Sequence, residues 1–97
     1  MTPEIKLPAL ELLNNMHSFP GPFVFKVIGD AHDDFVGDAL TLAMSPLHHS
    51  REVNYTSRTT SGGRHMAVTL TIQIESAQEV HLVYEKLLTM SGLRLLF

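Results

Sequence analysis

The sequence contains no cysteine and no tryptophan. Without thiols there is no disulfide, no thiolate nucleophile and no Cys-ligated zinc or iron–sulfur centre. No apolar run approaches the roughly 18 residues that a membrane-crossing helix needs. Positive charge is not in excess: ten acidic residues against seven basic ones give a formal charge of -3. The seven cations are scattered along the chain, without the basic clustering typical of nucleic-acid binders, so no nucleic-acid partner is expected. The opening Met1-Thr2-Pro3-Glu4 lacks the basic region and apolar stretch of a secretory leader. The expected compartment is the cytoplasm, with no membrane association.

Catalytic patterns are missing as well. There is no H-E-x-x-H pair, no G-x-S-x-G elbow and no phosphate-binding glycine loop. Gly62-Gly63 is a hairpin turn by its flanks. His48-His49 are neighbours in a loop and point apart, so no metal site is expected there. The reading is a protein that is not an enzyme and needs no cofactor.

What is present is a strongly patterned chain. Its 97 residues, 44% of them hydrophobic, suit one globular domain over 1–97. Residues 1–21 form an appendage, a short helix over Leu7–Met16 followed by a Pro/Gly turn. Phe23–Ile28 is apolar on both faces and reads as a central strand. A helix follows from Asp33 to Met44, its first-turn carboxylates suited to the free N–H groups there. Glu52–Arg58 is a polar strand. Arg64–Glu75 alternates without a break, Met66, Val68, Leu70, Ile72 and Ile74 against His65, Ala67, Thr69, Thr71 and Gln73. Ser76 caps a helix running to about Met90, with Glu79 reaching back. Leu93–Phe97 is the last strand, with Leu93, Leu95 and Phe97 directed inward and Arg94 and Leu96 outward.

This order, β-α-β-β-α-β after the first helix, has two helices with one apolar stripe each. Right-handed crossovers place both on one side of a four-stranded antiparallel sheet. The expected fold is α+β, a ferredoxin-like sandwich with the Phe23–Ile28 and Arg64–Glu75 strands in the middle. The other sheet face stays open. It offers Lys26, Arg58, His65 and Arg94 among threonines, with no aromatic from the central strands. These four residues, with Gly29, Asp30 and Ala31 at the start of the long helix, are the candidate ligand or interaction positions. His81 and Lys86 lie off the last helical stripe and are expected to face solvent.

The string Phe19-Pro20, Pro22-Phe23-Val24-Phe25-Lys26-Val27-Ile28-Gly29, preceded by Leu12-Leu13, resembles the opening of the YbeD-like small conserved bacterial proteins. The hairpin Ser57–Gly63 with His65–Ile72, and the stretch Val80–Leu88, resemble their middle strands and last helix. The likeness spans about residue 10 to Phe97. Met44–His49 departs from it, replacing a longer and more charged helix end. The resemblance implies the same ferredoxin-like fold, similar in shape to ACT-type regulatory domains, which pair and bind small effectors. It implies no enzymatic activity and no catalytic residues.

The functional expectation is a regulatory or protein-interaction module, working as a homodimer or with a protein partner through the open sheet face or an edge. The alternative is an ACT-like sensor of an amino acid or organic acid, held near Gly29-Asp30-Ala31. A small enzyme built on His65, Arg58 and Lys26, and an RNA binder, come behind these.

Overall fold

The computed structural model describes residues 7–60 and 62–97. Its elements are α1 (Leu10–Met16), β1 (Gly21–Asp30), α2 (Phe35–Met44), β2 (Val53–Thr59), β3 (His65–Ile74), α3 (Ala77–Leu87) and β4 (Leu93–Leu96). The strands form one antiparallel sheet in the order β2-β3-β1-β4. This is the ferredoxin-like α+β fold that the patterning predicts, with β1 and β3 central.

The core follows from alternation. Phe23, Phe25 and Val27 of β1 are buried, and their neighbours across the sheet are Ile72, Leu70 and Val68 of β3. Phe35, Ala39 and Ala43 of α2 and Val80, Val83, Tyr84 and Leu87 of α3 close over them. The Phe25 and Tyr84 rings meet edge to face at 5.1 Å. Complete burial of an aliphatic or aromatic side chain contributes about 1.5–3 kcal/mol, so this face supplies most of the drive to fold. The helices do not extend over β2. Tyr55 lies opposite Leu70 on the helix side, yet it is 53% exposed.

Two helices start later than the sequence reading places them. Pro8 and the extended Ala9 (φ -63, ψ 145) keep the first helix from starting before Leu10. Helix α2 begins at Phe35, because the Phe35 N–H donates to the His32 carbonyl and makes a turn of residues 32–35. Asp34 occupies the cap position without a side-chain cap bond, so its carboxylate acts at most through charge. At α3, Ser76 Oγ accepts the Glu79 N–H at 3.3 Å. The Glu79 carboxylate reaches one residue beyond the cap, to the Glu75 N–H at 2.8 Å.

Helix α1 docks on α3 and not on the open sheet face. Leu13 is buried in the core cluster, and the His81 ring nitrogen lies within hydrogen-bond distance of the Pro8 carbonyl. His81 is therefore half-buried beneath the incoming chain, contrary to the solvent-facing position expected for it.

Candidate functional site: the open sheet face and its charged end

Strand register places the open-face residues in cross-strand rows. One row is Thr56, Thr69, Lys26 and Phe97, closed by paired backbone bonds between Lys26 and Phe97 at 2.8 and 2.9 Å. The next is Arg58, Ala67, Ile28 and Leu95. On the other side of the first lie Asn54, Thr71 and Val24. The face thus has a hydroxyl and amide half on β2 and β3, and an aliphatic half on β1 and β4.

The placement of β4 corrects the sequence reading. Leu93 pairs with Gly29, but Leu95 pairs with Ile28, leaving Arg94 as an extra residue opposite no partner. This bulge shifts the register by one and reverses the facing of everything after it. Leu96, expected on the open face, is 6% exposed in the core, whereas Leu95 (50%) and Phe97 (56%), expected inside, stand on the open face. The face therefore carries an aromatic ring after all, at its β4 edge.

At one end of the face, β1 and β3 bring Asp30 opposite His65. Arg94 grips Asp30 with two hydrogen bonds, Nε to Oδ1 at 2.9 Å and Nη2 to Oδ2 at 3.2 Å. The His65 ring lies 3.9 Å from the same carboxylate. The Arg94 hydrogen bond, aided by the charges of Arg94, His65 and His32, holds the Asp30 carboxyl below its ordinary value. Asp30 in turn raises the Arg94 guanidinium. A depressed carboxyl contributes stability above its unfolded value of about 3.9 and loses it as pH falls through the folded value. Carboxyl-carbon NMR titration is expected to show Asp30 titrating below free aspartate, with Arg94→Gln moving it back up. An Asp30 midpoint unchanged by that substitution would show that the bidentate contact does not persist in solution.

Of the seven candidate positions, the fold joins Asp30, His65 and Arg94 into this cluster. Lys26 and Arg58 stand apart from it on the same face, and neither makes an ion pair among the described residues. Gly29 is buried, with Phe35 against its backbone. The Asp30 and Ala31 N–H groups are engaged by the Gly92 and Arg64 carbonyls at 2.9 and 3.0 Å. They are therefore not free to donate to the amino or organic acid expected near Gly29-Asp30-Ala31. An open cleft beside them is lined by Ala31, His32, Asp33, Thr59 and Met66. Among the described residues no three histidine or acidic side chains converge as metal ligands.

Sequence reasoning missed Arg51. Its side chain is only 5% exposed and meets Glu79, itself 14% exposed, at 2.6 Å. It also donates to the carbonyls of Gln73 and His48. Burial pushes the Glu79 carboxyl up, but the Arg51 hydrogen bond, the Glu75 N–H and the Arg51 charge outweigh it and hold the carboxyl below its ordinary value. A single arginine in a loop has no periodicity to announce it; only its approach to the start of α3 reveals the contact.

The fold and this face define a small ferredoxin-like α+β protein, one sheet face packed by helices and the other uncovered. Residues 14–96 match the model of the family described as "Protein of unknown function (DUF493)", and the chain belongs to that family. A UPF0250 protein of Shewanella loihica is 32% identical over 76 residues, 78% of this chain and 84% of that one. Another from Chromobacterium violaceum is 31% identical over 69 residues, 71% of this chain and 78% of its own. Among solved structures, a Helicobacter pylori protein superposes with a TM-score of 0.68 at 10% identity, covering 97% of this chain and 98% of that one. The ACT domain from the GTP pyrophosphokinase of Chlorobium tepidum superposes with a TM-score of 0.56 at 12% identity, over 78% of this chain and 84% of that one. These last two likenesses show a shared fold. No helix among the described residues is long and apolar enough to cross a membrane.

Proposed function

We propose that the chain is a regulatory or interaction module of the YbeD-like type, a single domain acting in the cytoplasm through its open sheet face. The observation that carries this reading is the aliphatic half of that face. Val24, Leu95 and Phe97 are each about half exposed, at 48, 50 and 56%. They adjoin Ile28 on one surface, while α1, α2 and α3 are all spent on the opposite side. Clustered exposed apolar residues of this kind mark contact surfaces. The expected result is that gently purified protein shows, by native mass spectrometry, complexes heavier than the 10.8 kDa chain. The double substitution Leu95→Ser/Phe97→Ser should abolish them. A bare monomer that takes up nothing would overturn the reading.

The charged end supports a second reading, an ACT-like sensor of an amino acid or organic acid. Asp30, Arg94 and His65 provide both signs of charge beside the cleft that Ala31 and His32 line. A carboxylate ligand would compete with Asp30 for Arg94. The sensor reading predicts a rise in melting temperature with millimolar amino or organic acids, lost in Arg94→Gln. No rise across the series would remove it.

A further inference from the structure

The position of Lys26 narrows what can occupy the open face. Lys26 lies between Val24 and Ile28 along β1 and beside Phe97 across it, in the midst of the aliphatic patch. It has no ion-pair partner among the described residues, and neither does Arg58 two strands away. Any occupant that covers Val24, Ile28, Leu95 and Phe97 must also cover Lys26. A cation removed from water without a partner is costly, so a stable occupant has to bring its own carboxylate.

Charge points the same way. Lys26, Arg58 and Arg94 project from this face against Asp30 and, at its rim, Glu52. That leaves the face at 3 - 2 = +1 in a chain of net charge -3. Asp30 is already engaged by Arg94. A second copy stacked face to face would set these cations against their own kind, with no free carboxylate at the centre to meet them. The central strands have already paired on both sides, so the middle of the face offers side chains and not open backbone. A sheet face of this kind is covered by a second sheet or by a helix, and the like charges set this sheet against a copy of itself. From Val24 to Ile28 the patch runs about 13 Å, the length of roughly two and a half helical turns.

We infer that the open face receives an acidic amphipathic helix of a different protein. Its aliphatic side chains lie on Val24, Ile28, Leu95 and Phe97, and a carboxylate from its border pairs with Lys26, with Arg58 positioned for a second. This inference rests on the open face being the contact surface.

The test places a benzophenone photo-crosslinking amino acid at Thr71, beside Val24, in the full chain inside the host cell. Mass spectrometry then identifies the attached segment. The expected segment belongs to another protein, carries aliphatic residues at helical spacing, and has acidic residues along their border. Lys26→Glu should cut the cross-linking yield roughly thirty-fold or more, while Lys26→Arg should keep it within a few-fold. Lys26 is exposed in the free chain, so an unchanged melting temperature verifies that both variants fold. Attachment to a second copy, attachment to a neutral or basic segment, or indifference to Lys26→Glu would each overturn the acidic helix and leave the interaction face standing. No attachment from Thr71 or from a second probe at Leu95 would overturn both.

Discussion

Arg51→Met is expected to destabilise the protein by about 3 kcal/mol, at the lower edge of what breaking a buried ion pair costs. For a chain of this size that is a fall in melting temperature of roughly 15 °C. The loss comes less from the attraction removed than from what remains. Glu79, 14% exposed, would hold a charge whose salt-bridge partner has gone, and the Gln73 and His48 carbonyls would lose a donor. The double substitution Arg51→Met/Glu79→Gln should therefore recover at least half of the loss, since a glutamine carbonyl still accepts the Glu75 N–H. Thermal and urea unfolding of the three variants measure this. If the double variant were as unstable as Arg51→Met, the cost would lie in packing and not in the orphaned charge. The pH dependence carries a sign of its own. Because the folded Glu79 carboxyl is depressed, the pair's contribution is complete above the unfolded glutamate value of about 4.3 and fades as pH falls through the folded value. Arg51→Met should flatten the acid limb of the stability curve.

The second large effect is expected at Gly29. A β-carbon there would sit 2.7 Å from the Gly92 carbonyl oxygen and 2.7 Å from the Phe35 ring. Neither can yield cheaply. The Gly92 oxygen accepts the Asp30 N–H at 2.9 Å, and Phe35 is fully buried. Gly29→Ala is thus overpacking against backbone as well as side chain, expected to cost about 3 kcal/mol, the upper end for an inserted methyl. Phe35→Leu in the same chain should return part of it by relieving the ring contact, but not the part due to Gly92. Urea denaturation reads both. A loss under about 1 kcal/mol would mean that the turn leading into β4 shifts freely. Gly29 is a packing residue that lets the last strand come close, while the charged cluster at that corner is made by Asp30, His65 and Arg94.

How much of this was legible depends on what sets each feature. The alternation of Arg64–Glu75 and the stripe Val80, Val83, Tyr84, Leu87 are properties of single segments, so they appear in the sequence and in the structure alike. The facing of Leu95, Leu96 and Phe97 is not such a property. Leu93–Phe97 is apolar at every position except Arg94, so its own pattern cannot choose a face. The choice is made by hydrogen bonding to β1 and by the bulge at Arg94. The candidate site divides in the same manner. Lys26, Arg58 and His65 were legible as open-face residues because they sit in strands of clear parity. The Asp30–Arg94 grip joins residues 64 apart in the chain, and the Arg51–Glu79 pair joins residues 28 apart. No local rule specifies either.

The strand order has a consequence for how the chain reaches this state. Strands β2 and β3 are consecutive, joined through a short turn in which Gly62 and Gly63 adopt positive φ (90° and 74°). This hairpin can form by itself within microseconds. The central pairing cannot. Between Asp30↔His65 and Gly21↔Ile74 the sequence separation rises from 65 - 30 = 35 to 74 - 21 = 53 residues. The most buried strand pair in the molecule is thus also one of high contact order, and its loop-closure entropy must be met before its contacts reward it. During synthesis, β1 leaves the ribosome with an apolar face and no neighbour, and must wait until β3 has followed. The interval in which Phe23, Phe25 and Val27 stand uncovered is the stage at which this small protein is most exposed to aggregation.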